Sequence, residues 1–578
     1  MQKPLFIHYR EIIEDFIKDL VADNNSSVNS ISVDPPKDEF FGDFSTNIAM
    51  VLAKRLKRNP IELAEEIAVK MQNHQDFVDV TVKKPGFINW NIPQTLLKEQ
   101  IREISDKNYG KCDLGKGIKV NIEYVSANPT GPLHAGHARG AISGDVLANL
   151  LSFVGYNVTK EYYINDAGKQ IEILAKSLYH RYLELLRKAE NDLPEWAYPG
   201  EYLIDTAKKI VDQYGDTFVG KSEHDWLDFF KNFAISDMME MIKSDLDALG
   251  IHHDVFSSEK DLVNDGAVER AIDFLEKKGL IYHGVLDIPK GKEPDDWEPR
   301  EQLLFKSTQF GDEVDRPLQK SDGSWTYFAS DIAYHKNKID RKFDEMIDFW
   351  GSDHGGYIKR MQAAVNAISD NQKHLDVKIS QIVRFMDNGR EVKMSKRSGT
   401  FITVRDVIDS VGKDVIRFIM LTRRDDAPLD FDFKKVVDQS RENPVFYVQY
   451  AYARTHSVFR QFKQTFPDIN LKEAINEANI NLLEDEDIIM VKTLCDYPRQ
   501  IVMAAKNREP HRLAFYLSEV AAKFHALWNQ GKENTQLRFI SADDYNKTCA
   551  KMALLKAVQN VIESAFEIIG VTPIEELR

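Results

Sequence analysis

The spacing of apolar residues divides the chain into three stretches. In the first, Phe6, Ile12, Ile13, Phe16, Ile17 and Leu20 recur at amphipathic helical spacing. A second helix is expected to open at residues 42–47, with Ile48, Val51 and Leu52. A third opens at Pro60 and runs through Ile61, Leu63, Ile67 and Met71. Strand-like runs at 78–82 and 87–92 complete a small α+β domain over roughly residues 1–110. From about 115 to 425, short apolar or alternating runs are each followed by a helical stripe. Strands are expected at 120–125, 157–163, 280–286, 302–306 and 346–350, and helices at 266–278, 331–341 and 355–367. Strands alternating with helices predict a parallel, doubly wound, Rossmann-like sheet with its ligands at the carboxyl ends of the strands. Residues 169–251 break that rhythm as a long, helical, charged insertion. A helix pair spans 403–424. From Phe433 the pattern is all helical, at 443–462, 485–505, 511–529 and 545–569, so residues 430–578 are expected to form an all-α bundle. Pro444 suits the first turn of the first of these helices.

The most informative stretch is 121–170. Its strand runs into a turn marked by Asn128, Pro129, Gly131 and Pro132. A helix follows, with Ala138, Ala141, Ile142, Val146, Leu147 and Leu150 on one stripe. Strand, glycine-containing turn and helix together make a unit that can hold a phosphate at the helix N-terminus. The turn also carries His134 and His137, three residues apart and so on one face of the first helical turn. There they can donate to phosphate oxygens, while Gly136 leaves room for a flat base or a ribose. Two other readings stand beside this one. The segment is a capped helix with two surface histidines, or it is a zinc site. The zinc reading lacks the glutamate of an HExxH motif and a third ligand nearby.

A second stretch, Lys393-Met394-Ser395-Lys396-Arg397-Ser398-Gly399, follows the 383–386 strand and the Asp387-Asn388-Gly389 turn. Alone, such a charge run is a solvated loop. With HxGH after the first strand and KMSK after the last, however, the chain resembles the class I aminoacyl-tRNA synthetases. It is similar to the arginyl-tRNA synthetase family in particular. The residues that carry this are SANPTGPLHAGHARGAISGDVLANLL with YYINDAGKQI, then TYFASDIAYH at 326–335, FWGSDHGGYIKR at 349–360, TRRDDAPLDFDF at 422–433 and NPVFYVQYAYAR at 443–454. The resemblance covers essentially the whole chain.

It implies an ATP-dependent, AMP-forming enzyme that makes arginyl-adenylate and transfers arginine to the 3′ end of tRNA(Arg). ATP is then a substrate, accompanied by Mg²⁺, with no organic cofactor and no resident metal site. Pro132, His134, Gly136 and His137 are expected to bind ATP from the helix end, and Lys393, Met394, Ser395 and Lys396 from the opposite loop. His134, His137, Lys393 and Lys396 are the expected catalytic groups. The arginine site is expected at Glu123, Ser126, Asn128, Tyr327, Asp331 and His354, with Tyr327 and Asp331 one helical turn apart. A planar guanidinium calls for carboxylates that accept two hydrogen bonds side by side. His354 stands where other members carry a different polar residue. By the same resemblance, residues 1–110 contact the tRNA elbow and the C-terminal bundle binds the anticodon. Tyr447, Tyr450, Tyr452 and Arg454 either stack on bases there or pack within the bundle. The insertion either shapes the acceptor-end path or is a solvated decoration. Two alternatives stay open: a class I synthetase for another amino acid, and a non-catalytic tRNA-binding paralogue.

Bulk properties adjust this picture little. The chain of 578 residues is 43% apolar and 29% charged, which suggests about three or four soluble domains. No apolar run reaches the roughly 18 residues of a membrane span. The first helix carries acidic residues and lacks a signal peptide's apolar core. The three cysteines, Cys112, Cys495 and Cys549, form neither a CxxC knuckle nor a disulfide framework. The expectation is a cytoplasmic protein, monomeric because no coiled coil or swapped arm is evident, and not associated with membranes. A net charge of −15 argues against nucleic acid on composition alone. Binding tRNA needs only a local basic track.

Overall fold

The structure is a computed structural model that describes residues 3–20, 31–189, 193–286, 300–392 and 402–577. Lys393, Met394, Ser395 and Lys396 lie outside the described residues. Near the N-terminus, the helices Leu5–Phe16, Ile48–Leu56 and Pro60–Gln72 accompany an antiparallel sheet. The sheet order is Val33–Asp34, Phe44–Thr46, Phe87–Asn91 and Val78–Lys83. Pro60 occupies the first turn of its helix, where Asn59 accepts a hydrogen bond from the Ile61 amide. The second helix begins later than the sequence suggests, because Phe44–Thr46 alternates buried and half-buried positions and pairs as a strand.

The centre of the molecule is a five-stranded parallel sheet. Numbered along the chain, its strands are β1 (Lys119–Glu123), β2 (Asn157–Ile164), β3 (Val255–Ser258), β4 (Glu345–Gly351) and β5 (Leu375–Ser380). Their order is β5-β4-β1-β2-β3, every pair parallel. The chain builds outward from β1 to β3, then returns to the other side of β1. The order therefore reverses between β1 and β4, and the crevice beyond their carboxyl ends is where such a fold takes a ligand. β1 stops at Glu123, two residues before the expected end. Val125 and Ser126 adopt φ of 71° and 39° and leave the ladder. Left-handed backbone at a β-branched residue is strained by about 1–3 kcal/mol, and such strain collects at functional sites.

Two expected strands are not part of this sheet. Ile281–Gly284 and Gln302–Phe305 pair antiparallel, together with Arg316–Pro317, in a sheet of their own. Ile281–Gly284 carries polar His283 and lies partly exposed throughout, whereas strands inside a parallel sheet are covered on both faces. The strands that do complete the parallel sheet, β3 and β5, are its edges and are mostly half-buried, so they lack a strong apolar run. The Asp387-Asn388-Gly389 turn joins Val383–Asp387 to Arg390–Glu391, with Asn388 and Gly389 at φ of 52° and 75°, as a tight hairpin requires. A further strand, Leu429–Asp432, pairs with Val383–Asp387, so the lysine-rich segment does not follow the last strand.

Three helices of the central unit matter below. They are α1 (Ala138–Phe153), α2 (Glu223–Ala248) in the insertion, and α3 (Tyr327–Asp340). α3 starts four residues before its expected position because the Thr326 side chain caps it, accepting from the Ala329 amide. The insertion is three helices, Lys169–Leu185, Tyr202–Tyr214 and α2, around their own aromatic core. The C-terminal part is a helical bundle built on Pro444–Thr465, Asp485–Cys495, Tyr497–Asn507, His511–Glu533 and Tyr545–Ile569. The expected helix 485–505 is split in two, with Pro498 in the first turn of the second piece. No helix among the described residues is long and apolar enough to cross a membrane.

One buried junction ties these parts together. The Arg417 side chain, with no exposed surface, donates to Asp145 on α1 at 2.6 Å, to the Leu249 carbonyl at 3.0 Å and to the Ile569 carbonyl at 2.6 Å. Asp145 also accepts from Lys160 on β2 at 2.7 Å. Removing one partner of a buried ion pair strands the other, at about 3–5 kcal/mol. Arg417→Ala is therefore expected to destabilise the protein by that amount and to expose the end of the last helix to proteolysis. An unchanged unfolding midpoint with unchanged cleavage would contradict the junction's role.

Candidate active site

The first helical turn after β1 is built by backbone pairing with a distant segment. The Ala135 amide donates to the Ile402 carbonyl at 2.8 Å and the Val404 amide to the Leu133 carbonyl at 2.8 Å. His134 and Thr403 face each other in an antiparallel bridge. The HAGH turn is thus joined directly to the residues that follow the lysine-rich segment. Asp245 on α2 reinforces the join, accepting from the Leu133 amide at 3.2 Å while Arg405 lies 3.7 Å away. The His134 and His137 rings stack with centroids 3.6 Å apart. Gly136 is required for this: a Cβ there would come within 2.8 Å of the His134 ring. His134 and His137 therefore sit at the start of the helical run leading into α1, where N–H groups and the macrodipole favour an anion.

The turn opens on a cleft of about 1590 Å³ at the carboxyl ends of β1 and β4. Pro132, His134, Gly136 and His137 line one part of it. Glu123, Ser126, Asn128, Asp331 and His354 line the same cleft. Tyr327 is outside that lining. It is 59% exposed in the first turn of α3, beneath the Lys320 ammonium. His354 is an exposed side chain 3.7 Å from Asp353. Asn128 donates to Gln170 at 2.9 Å. The insertion supplies a wall of the cleft that includes exposed Trp196. Tyr202 hangs that wall on the HAGH loop by donating to the Thr130 carbonyl at 2.6 Å.

The acidic end of the cleft is organised by charged groups the sequence reading did not single out. Lys338, fully buried on α3, donates to Glu123 at 2.6 Å and to Asp348 on β4 at 2.9 Å. His335 bridges Asp348, at 3.0 Å, and the Asp331 carbonyl, at 2.8 Å. Tyr357 donates to the Asp331 carboxylate at 2.6 Å, and Ser126 to Glu123 at 2.9 Å. Burial raises the Asp331 carboxyl to about 6, even though Tyr357 and His335 favour its charged form. Burial also raises Glu259 to about 7, helped by the neighbouring Asp331 and Asp166. Glu123 is pushed up by burial against the pull of Lys338. Asp348 is held down at about 2, because Lys338 and His335 outweigh its burial. The signal for these groups was present in the spacing. Asp331, Tyr334, His335 and Lys338 stand at i, i+3, i+4 and i+7, on one face of α3.

On the C-terminal bundle, exposed Tyr450 and half-buried Arg454 form one cluster. The guanidinium lies 4.0 Å from the Tyr450 ring centroid and 4.8 Å from that of Trp528, and it donates to Tyr450 at 2.9 Å. Tyr447 packs against His525 at 4.4 Å, and Tyr452 is buried in the bundle with its hydroxyl donating to Glu563, so it is not open to a base.

Comparison with known proteins gives the same frame. Residues 8–92 match the arginyl tRNA synthetase N-terminal domain, 100–440 the class I (R) tRNA synthetase catalytic domain, and 448–577 the DALR anticodon binding domain. An arginine–tRNA ligase of Ruegeria pomeroyi is 49% identical over 99% of this chain and 100% of its own length. One from Parvibaculum lavamentivorans is 51% identical over 96% of each. The solved Thermus thermophilus arginyl-tRNA synthetase superposes with a TM-score of 0.74 at 19% identity, covering 99% of this chain and 100% of that one, a likeness of fold. With N-terminal, catalytic and anticodon-binding segments all matched, and about half its residues shared end to end with such ligases, this chain belongs to the arginyl-tRNA synthetase family of class I.

Proposed function

We infer that the protein is an arginine–tRNA ligase. It activates L-arginine with ATP to arginyl-adenylate, releasing pyrophosphate, and transfers arginine to the 3′ end of tRNA(Arg). The observation that carries this is a single cleft lined both by a helix N-terminus with two histidines and by the carboxylates of Glu123 and Asp331. The first suits a triphosphate and the second a guanidinium. Attack of the arginine carboxylate on the α-phosphate needs positioning and stabilisation of phosphate charge more than covalent help. His134 and His137 supply that from the helix end. Lys393 and Lys396 are assigned to the triphosphate by the motif. Magnesium arrives as part of the ATP substrate, and the two steps call for no organic cofactor.

The amino-acid pocket is assigned to Asp331 and Glu123 for the guanidinium, with Ser126 and Asn128 for the backbone groups. Tyr327 would have to turn inward to join them. His354 is assigned to the same site. In the bundle, the Tyr450–Arg454 cluster, with Tyr450 exposed, suits a stacked base, and Tyr447 supports it from behind. Residues 1–110, 115–425 and 430–578 are assigned to tRNA-elbow contact, catalysis and anticodon binding. The protein is assigned as a cytoplasmic monomer that needs no membrane.

Exchange between ATP and pyrophosphate, run with each of the twenty amino acids with and without tRNA, is expected to proceed with arginine alone. Exchange with another amino acid would remove the pocket assignment. Asp331→Ala is expected to raise the arginine KM about 10–100-fold, the worth of a charge-assisted hydrogen bond, while moving the ATP KM far less. Equal effects on both would contradict the assignment. Lys396→Ala should slow adenylate formation more than it weakens arginine binding, which single-turnover measurements would resolve.

The raised Asp331 carboxyl adds a pH dependence. Arginine needs the ionised form, so the arginine KM should climb about tenfold per unit as pH falls below about 6. The stability consequence has the opposite sign. The folded state binds this proton more tightly than the unfolded chain, so stability falls as pH rises from about 4 through about 6. The shift is worth up to about 3 kcal/mol. Asp331→Asn should therefore melt higher than the parent at pH 8 and lose that advantage near pH 4. Identical melting at both would overturn the reading.

A further inference from the structure

Lys338 does not line the cleft, yet its ammonium contacts two of the acids that do, Glu123 and Asp348. It is fully buried, and its ammonium is shared between Glu123 Oε2 and Asp348 Oδ1. Glu123 Oε1 is held from the other side by the Ser126 hydroxyl, immediately after the left-handed Val125 and Ser126. A buried carboxylate with one oxygen tied inward has its second oxygen fixed in direction. Without that tie, it would rotate or take up a proton.

We propose that Lys338 is a positioning residue for amino-acid recognition: it keeps the Glu123 carboxylate ionised and turned so that Oε1 faces the cleft for the substrate's cation. The proposal rests on the arginine-pocket reading above. Lys338 acts only through Glu123 and touches no substrate. Asp348 serves as the second anchor that keeps the ammonium in place, and His335 fixes Asp348 in turn, so the face of α3 that presents Asp331 also sets the state of Glu123. The charged and titratable groups around Glu123 are Tyr334, His335, Lys338 and Asp331 from α3, Asp348 from β4, and Tyr163 and Glu161 from β2, the last paired with Arg341. Among them Lys338 is the cation in direct contact with Glu123.

Lys338→Met keeps the stem and removes the charge. It is expected to raise the arginine KM at least tenfold at pH 7 while the ATP KM stays within about twofold. A purely structural lysine would not alter the pH profile. In the variant Glu123 loses the cation that favours its ionised form, so its arginine KM should fall at least tenfold between pH 7 and pH 9, whereas the parent's changes less than twofold. Lys338→Met/Asp348→Asn removes both buried charges and guards against a variant that fails to fold. It is expected to keep a raised arginine KM. A parental arginine KM in the double variant, or a flat pH profile in the single one, would overturn the proposal. If Asp331→Ala raises the arginine KM and the Lys338 variants do not, only the positioning role falls. If Asp331→Ala leaves it unchanged, the pocket reading falls first.

Discussion

The buried carboxylate of Asp145 is where the molecule holds together. It sits on the helix that carries the HAGH turn and accepts from Lys160 on the neighbouring strand and from Arg417. Arg417 spends its other donors on a carbonyl at the end of the insertion and another at the end of the last helix. Catalytic helix, insertion and bundle therefore share one desolvated ion pair. Such a pair is a weak source of net stability but a strong source of registry, because no sliding of the parts leaves its charges compensated. The Asp145 carboxyl is held below its usual range by Arg417 and Lys160 despite its burial, so the junction stays charged across ordinary pH.

How much of this was legible depended on whether a residue's surroundings are local. The HAGH turn was legible because strand, turn and helix are adjacent in the chain, and His134 and His137 do meet, stacked, at the helix start. Asp331 was legible through its motif and lines the cleft with Glu123. The antiparallel placing of Ile281–Gly284 and Gln302–Phe305 was not, since pairing direction depends on partners far along the chain. β3 and β5 were missed because half-covered edge strands carry little apolar signal. Lys338 was overlooked although its spacing from Asp331 is visible. A lysine on an amphipathic helix ordinarily points to water, and only the approach of β1 and β4 turns this one into a buried counter-ion.

The acidic balance of the chain, −15, looked unfavourable for a tRNA partner. The structure shows part of that acidity turned inward at the cleft, where Glu123 and Asp348 are buried and Asp331 is half-buried. Carboxylates turned into a cleft say little about the outer surface that meets a phosphate backbone, so net charge is a poor guide for an enzyme whose small substrate and large substrate carry opposite signs.

The size of the cleft has a consequence of its own. At about 1590 Å³ it exceeds the roughly 300–1000 Å³ of an ordinary single-ligand pocket, and part of its wall hangs from the Thr130 carbonyl by the Tyr202 hydroxyl. With one small molecule inside, most of that space is water, and the charges on the walls interact through a high dielectric. Each further occupant displaces solvent, and the field of every charge on the walls acts through a lower dielectric as the medium dries. The same side chains thus become stronger with every molecule admitted, which makes the last substrate to enter the one that switches on the field felt by all the others.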